Sequence, residues 1–327
     1  MAYDDLLGEH ESIRAVRDLV ARIAVSPART VLLYGETGTG KGLVARMLHR
    51  LSARRDQPFV DVNCAAIPAS LMESELFGHE RGAFTGAAGA KPGLIEAASG
   101  GTLFLDEIRE MDLQLQAKLL TMLDTQRFRR LGAVKQTAAD VRFVTSTNRI
   151  LLSEVKAGRF RDDLYWRLQV VPVNIPPLRA RGDDVLLLAE SFLRHHGGRC
   201  GRVIRGLEPR VAEVFRRYSW PGNVRELENL IERIAILETE DHVLVRHLPD
   251  RILREVEGRA APSLPGGAEV PSLDLGFHGA TDRYQKALIE TALREAGGRH
   301  GRAAVRLGLS RHALRHRMQK LGMAVPA

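Results

Sequence analysis

One stretch near the N-terminus constrains the chain more than any other. Residues 30–34 form a short apolar run that begins with β-branched Thr30 and Val31. It ends in Gly35-Glu36-Thr37-Gly38-Thr39-Gly40-Lys41, and apolar residues then recur at helical spacing through Leu43, Val44, Met47 and Leu48. A strand, a glycine-rich loop closed by lysine and a helix make a phosphate-binding loop. Glycines let backbone N–H groups converge on phosphate oxygens. Lys41 adds positive charge near the β and γ phosphates, and the helix start adds its dipole. The chain is therefore expected to bind a nucleoside triphosphate, ATP with Mg²⁺. One position departs from the pattern. Gly42 stands where Ser or Thr usually supplies a hydroxyl to the metal.

Four more runs read as buried strands: 59–62, 102–105, 141–145 and 170–173. Helical patterns separate them, as over 115–123, so a parallel sheet covered on both faces is expected. Past Pro176 the strand pattern stops, and 185–192, 209–217 and 223–237 read as helices. The expected organisation is an α/β nucleotide-binding part over 1–175 and a smaller helical domain over 176–253. A linker over 254–280 and a last all-α module over 281–327 complete it. Residues 257–281 hold three Pro and five Gly, the composition of a flexible connector.

A second set of polar residues belongs with the loop. Gly100-Gly101 precedes an apolar strand ending in Asp106-Glu107. That is the Walker B arrangement, in which Asp106 holds Mg²⁺ and Glu107 polarises the attacking water. Thr147 and Asn148 end another strand, within reach of a γ-phosphate or of that water. A plain turn is their alternative reading.

Charge is unevenly placed. Residues 281–327 carry ten Lys/Arg against three Asp/Glu, which is +7 of the net +8. A small basic end on a near-neutral body suggests a polyanion partner, most simply DNA. Cys64 and Cys200 are the only cysteines. With an acidic start and no apolar run long enough for a membrane span, they suggest a cytoplasmic protein without disulfides or a membrane partner. The pair His195-His196 has no partners at ligand spacing and reads as a surface pair. Cys64 reads as a buried small residue.

At this point the residues resemble a known family. Residues 6–250 are similar to the AAA+ domain of bacterial enhancer-binding proteins, the activators of sigma-54 RNA polymerase. The decisive motif is Gly82-Ala83-Phe84-Thr85-Gly86-Ala87, after Glu75-Leu76-Phe77-Gly78-His79-Glu80. The resemblance implies that this loop contacts sigma-54. Residues 160–168 resemble the family's arginine-finger segment, so Arg161 and Arg167 would reach the γ-phosphate held by a neighbouring subunit in a hexamer. A surface ion pair with Asp162 or Asp163 is the alternative for either arginine. The run Trp220-Pro221-Gly222-Asn223-Val224-Arg225-Glu226-Leu227 matches the sensor II segment, which would bring Arg225 to the nucleotide. Asn63 matches the asparagine that restrains the catalytic glutamate, here Glu107. Gly42 departs from the family's usual glutamate as well.

The last module resembles the Fis-type helix-turn-helix. Gly297-Gly298 ends a first helix, 302–307 forms a second, and Ser310 caps a third that places Leu314, Met318 and Leu321 on one face. Arg311 and His312 are the candidates for base contacts. Arg315, Arg317 and Lys320 are candidates for phosphates. A dimerisation module with a basic surface is the alternative.

The expected activity is remodelling of the closed sigma-54 promoter complex by an ATP-hydrolysing ring bound to enhancer DNA. Only five residues precede Leu6, so the chain is expected to resemble the short activators without an N-terminal regulatory domain. Those rely on a separate regulatory protein or on a paralogous subunit in a mixed ring. An AAA+ machine with another target, and a family regulator that no longer activates sigma-54, are the rivals.

Overall fold

The computed structural model describes residues 6–258 and, in the C-terminal region, 285–323 except positions 287, 295, 298, 308, 310 and 322. For His312 and Lys320 the backbone alone is described. The chain divides into two compact units, Met1–Ile252 and Leu253–Ala327.

A five-stranded parallel sheet organises the first unit. Its strands are β1 (Thr30–Tyr34), β2 (Phe59–Asn63), β5 (Thr102–Asp106), β8 (Arg142–Thr147) and β9 (Pro172–Asn174). Their spatial order is β2-β5-β8-β1-β9. All four junctions are parallel. Both faces are covered because successive strand residues point to opposite sides. Leu32, Leu103, Leu105 and Phe143 enter one core, with α3 (Ala69–Phe77), α5 (Leu113–Thr125) and α7 (Asp162–Leu168). Val31, Leu33, Phe104 and Val144 enter the other, with α1 (Glu11–Ala24) and α2 (Lys41–Arg50). The predicted strands are all present, each within about two residues of its expected ends.

Two small hairpins interrupt this plan, and the sequence pattern did not reveal them. One pairs β3 (Gly78–His79) with β4 (Lys91–Pro92); the other pairs β6 (Arg127–Phe128) with β7 (Thr137–Ala138). Two-residue strands are too short to show alternation. A bridge between His79 and Leu131 joins the two insertions.

The lid follows, with α8 (Asp184–Arg199), α9 (Pro209–Arg217), α10 (Asn223–Leu237) and α11 (Asp250–Glu257). Pro209 starts α9, where its missing N–H costs nothing, and Arg216 and Arg217 meet the negative end of the dipole. Leu227, Leu230, Ile231 and Ile234 form the buried stripe of α10. Two corrections follow. Strands do not stop at Pro176, because β10 (Gly206–Leu207) pairs in parallel with β11 (His242–Val243) inside the lid. The connector does not begin at residue 254, because α11 continues to Glu257.

In the second unit, Ile289, Ala292, Ala296, Ala303, Ala304, Leu314, Met318 and Leu321 form one small core. The helices His300–Arg306 and Arg311–Lys320 lie close to the predicted ones. Most of the expected connector, residues 259–280, and the cap Ser310 lie outside the described residues.

Gly101 explains why a glycine pair precedes β5. A Cβ there would lie 1.9 Å from the carbonyl oxygen of Pro58, which accepts a ladder bond from Thr102 N. Backbone cannot yield as a side chain can. Gly101→Ala should therefore cost about 3 kcal/mol or more of stability in urea denaturation. Unchanged stability would show that the β2–β5 edge is not as tight as this.

Candidate nucleotide site

The carboxyl ends of β1, β8 and β5 meet in one crevice, the usual ligand position in an open parallel sheet. Register brings the chemistry together: Tyr34 pairs with Thr147, and Asn63 with Asp106. A cavity of about 510 Å³ opens there. Thr37, Gly38, Thr39, Gly40, Lys41 and Gly42 line one side, Asp106, Glu107 and Asn63 another, and Arg225 the lid side.

Lys41 starts α2 and is 7% exposed. Its Nζ donates to the carbonyl of Gly35 at 2.9 Å and lies 3.7 Å from the Glu107 carboxylate. An ammonium held by loop carbonyls and an acid is placed to exchange those partners for phosphate oxygens. Gly40 adopts φ 102° as the helix cap, which turns the loop without a Cβ penalty. Gly35 and Glu36 are not cavity-lining residues. Gly35 N donates to Thr147 O, and the Glu36 carbonyl accepts from the Thr39 hydroxyl, so both hold the loop in shape.

Glu107 sits just past β5 at φ 54°, an uncommon conformation for a residue with a Cβ and one that clusters at functional sites. The Asn148 backbone N–H donates to its carboxylate at 3.4 Å, and Arg109 Nε lies 3.7 Å away. The Asn148 side chain donates to Thr37 Oγ1. Asn148 thus connects the phosphate loop to the candidate water-polarising acid. Thr147 does not share that position. It is fully buried, and its hydroxyl exchanges hydrogen bonds with the Arg149 backbone. Strand alternation turns it away, and Ser146, whose hydroxyl donates to Asp106, takes its place beside the acids. The Asn63 side chain accepts from Ala65 N at 3.0 Å. Its contact is with its own turn.

Asp106 and Glu107 line the cavity, and Asp106 accepts from the Ser146 hydroxyl, so carboxylate and hydroxyl oxygens are available there. That suits Mg²⁺, which binds through one or two carboxylates plus phosphates and water. Gly42 contributes none, yet a Cβ there would meet only the Phe104 ring, at 3.8 Å.

The lid closes on the loop backbone to backbone. Val224 N donates to the Gly38 carbonyl at 3.0 Å, and Arg225 N lies 3.3 Å from the same oxygen. A Cβ on Gly38 would lie 2.2 Å from the Gly222 carbonyl oxygen. Asn223 fastens this contact. Fully buried at φ 51°, it accepts from Leu178 N at 2.8 Å and donates to Glu36 Oε2 and Thr37 O, both at 3.1 Å. Asparagine tolerates that conformation better than most residues. Arg179 also grips Glu36, and its hydrogen bonds hold the Glu36 carboxyl down to about 2. This contact should therefore persist through neutral pH and weaken only as pH falls below the ordinary carboxylate range. Arg181, 1% exposed, donates to Thr39 O and Pro176 O, and burial pulls its pKa down to about 10.

Several wall residues were not legible in the sequence. Leu6 and Leu7 from the N-terminal segment and Leu188 and Phe192 from α8 give the cavity an apolar end. The lid's Asp184 holds that segment by accepting from Glu9 N at 2.6 Å and His10 N at 3.0 Å. Asn223 was present in the sensor II run, but nothing in its spacing marked it as a connector.

The other expected residues lie away from this cavity. Arg161 caps α7, its side chain is 40% exposed, and it pairs with both oxygens of Asp163. Arg167 pairs with Asp124 and donates to Leu123 O. Neither lines the nucleotide cavity. The Gly82-to-Ala87 loop closes between β3 and β4 through Gly82 N to Ala87 O at 2.9 Å. Phe84 is 39% exposed against the His79 ring, Thr85 is exposed and Ala87 is buried. Arg311, Arg315 and Arg317 are exposed on the last helix.

His196 is not the surface residue expected. It is buried beneath α10, near Glu228 and Glu232, and burial lowers its pKa. Cys64 is buried as expected, and burial pushes its thiol up to about 12. Among the described residues, Glu238, Glu240 and His247 bring three ligand atoms within 4.8 Å. Leu244 N donates to His247 Nδ1, which assigns the ring proton to Nε2, facing the acids. With its proton on Nε2, that nitrogen has no lone pair for a metal; it lies 3.7 Å from Glu238 and 3.5 Å from Glu240.

Asn223→Ala should cost about 1–3 kcal/mol, because it strands the buried Leu178 N–H. Chemical denaturation measures that loss. A neutral substitution would mean that the lid is fastened elsewhere.

Comparisons with known proteins agree with this geometry. Residues 6–174 match the sigma-54 interaction domain family, 179–264 the AAA+ ATPase lid domain, and 283–321 the bacterial regulatory protein Fis family. The chain is 45% identical over 324 residues to the formate hydrogenlyase transcriptional activator FhlA of Escherichia coli. It covers 45% of that protein, with 98% of its own length aligned. It is 42% identical to the response regulator protein PilR of Pseudomonas aeruginosa, with 97% of this chain and 70% of PilR aligned. The crystal structure of NtrX from Brucella abortus in complex with ATP superposes with a TM-score of 0.73 at 34% identity. That match covers 98% of this chain and 69% of NtrX. An ADP complex of NtrX gives the same score. The three family matches follow one another along the chain, and the chain belongs to the sigma-54 interaction family of AAA+ ATPases with a Fis-type DNA-binding module.

Proposed function

We propose that the protein is an ATP-driven transcription activator that remodels the closed sigma-54 RNA polymerase promoter complex from a hexameric ring bound to upstream DNA. The observation that carries this reading is the loop from Gly82 to Ala87. It sits on its own hairpin outside the sheet, with Phe84 and Thr85 exposed at its tip. Gly82 and Gly86 adopt φ 78° and 106°, and a Cβ on either would meet nothing. Glycines in open space serve the loop's conformation, not its packing. Such a loop is suited to engage a partner.

Within one subunit, Lys41 and the loop N–H groups bind the phosphates. Asp106 with Ser146 would hold Mg²⁺, which would supply charge neutralisation to the phosphates. Glu107, braced by Lys41, Arg109 and Asn148, orients the attacking water and takes up its proton. Asn63, which pairs with Asp106 in register, would restrain Glu107. Arg225 reports the nucleotide state to the lid. Arg161 and Arg167 lie outside the cavity of their own subunit, which fits a role at the neighbour's phosphate. Their exposed ion pairs are weak enough to exchange for a phosphoryl group. Arg311 and His312 at the start of the last helix read bases, with Arg315, Arg317 and Lys320 on the backbone. Ser310, the residue before Arg311 in the sequence, belongs with this DNA-contacting set. Sigma-54, double-stranded enhancer DNA and further copies of the chain, or a paralogous activator, are the partners this implies.

In vitro transcription from a sigma-54 promoter tests the reading. Open complexes should form only with ATP and this protein, and their absence in the presence of enhancer DNA sinks it. Thr85→Ala should keep ATPase activity and lose activation; equal loss of both would place Thr85 in folding or assembly. Gly42→Thr should fold normally, gaining roughly 0.3–0.5 kcal/mol of helix propensity. Its added hydroxyl should lower the Mg²⁺ concentration needed for half-maximal hydrolysis, and an unchanged requirement would show that Asp106 and water already satisfy the site.

A further inference from the structure

Gln116 lies inside α5 and is fully buried, although it is a polar residue on a helix otherwise packed through Leu115, Leu119, Met122 and Leu123. Burying an amide is costly unless its groups are paired. Here they are paired on both sides. Its Nε2 donates to Met111 O at 2.8 Å and to Arg159 O at 3.1 Å, while its Oε1 accepts from Arg161 N at 2.8 Å. One side chain therefore bonds to two segments far apart in sequence. The first is the short turn after β5, closed by Glu110 N to Glu107 O and Met111 N to Ile108 O. That turn begins with Glu107. The second is the strand-like entry to α7, which carries Arg161.

We propose that Gln116 is the positioning residue for Arg161. It ties the arginine that a subunit offers to its neighbour to the turn bearing that subunit's own Glu107. The inference rests on the trans-acting role given to Arg161 above. Its physical basis is the contrast between the two ends of that arginine. The guanidinium is held by an exposed ion pair with Asp163, which exchanges easily. The backbone is held by a partly buried hydrogen bond to an amide that is itself fully buried, which exchanges less readily. A shift of the Glu107 turn then moves the base of the finger, so the state of one site reaches the next through a single buried amide.

Mixed rings test this. Gln116→Met removes all three bonds at similar volume. Gln116→Glu keeps the size and the acceptor but sets a carboxylate against two carbonyls. Each variant alone should bind a fluorescent ATP analogue normally and lose about 10²-fold in kcat, the usual cost of a misplaced catalytic group. Mixed in equal amounts with Glu107→Gln subunits, which have intact fingers but no hydrolysis of their own, each should recover. In a randomly mixed ring half the sites are intact and half of those meet an intact finger, so about a quarter of the wild-type rate is expected. An Arg161→Ala subunit mixed with Glu107→Gln runs beside it. If that control does not recover, the trans role of Arg161 fails. If the control recovers and the Gln116 mixtures do not, this inference fails alone. Loss of nucleotide binding in both Gln116 variants, or an unchanged kcat, overturns it as well.

Discussion

The nucleotide site depends on the parallel pairing of β1, β8 and β5. A parallel sheet delivers every strand to the same edge, so three segments separated by tens of residues release their polar groups side by side. The phosphate loop follows β1, Asp106 ends β5 with Glu107 just past it, and β8 between them supplies Ser146 with Asn148 just past its end. The glycine at position 101 is part of the same constraint, because the β2–β5 edge approaches too closely there for any side chain. The two cores exist to hold this arrangement flat between helices, and each takes alternate residues from the same strands.

The lid depends on that edge in turn. Its contact with the loop is a main-chain one, from Val224 N to the Gly38 carbonyl, with Asn223 bonded to both sides. A contact made by backbone depends on loop conformation, so the position of the lid is tied to the shape of the phosphate loop. The apolar wall from Leu6, Leu7, Leu188 and Phe192 joins the N-terminal segment to the lid. Asp184, which anchors that segment, is itself a lid residue.

Much of the site was legible because its residues are consecutive. The loop from Gly35 to Lys41, the pair Asp106-Glu107 and the Gly82-to-Ala87 motif each act as short runs, and a run carries its meaning in order and spacing. Thr147 was misread because a polar pair at a strand end does not show which member faces the ligand. The strand's pleat turned Thr147 inward and left Ser146 and Asn148 beside the acids. His196 was misread for a related reason. Its place on a helix face packed against α10 is not visible from two adjacent histidines.

The sequence alone determined the fold class, the phosphate loop, the acids at the end of β5, the Gly82-to-Ala87 motif and the basic C-terminal module. Each of these rests on local order: a periodicity, a fixed spacing or a concentration of charge. The tertiary structure decided which residues meet. It brought Asn223 to the loop, Arg181 to the Thr39 carbonyl, Leu6 and Leu7 to the cavity and Gln116 to both Met111 and Arg161. Those contacts are made largely with backbone groups distant in the chain. A backbone carbonyl has the same identity at every position, so only folding can say which one a side chain will find.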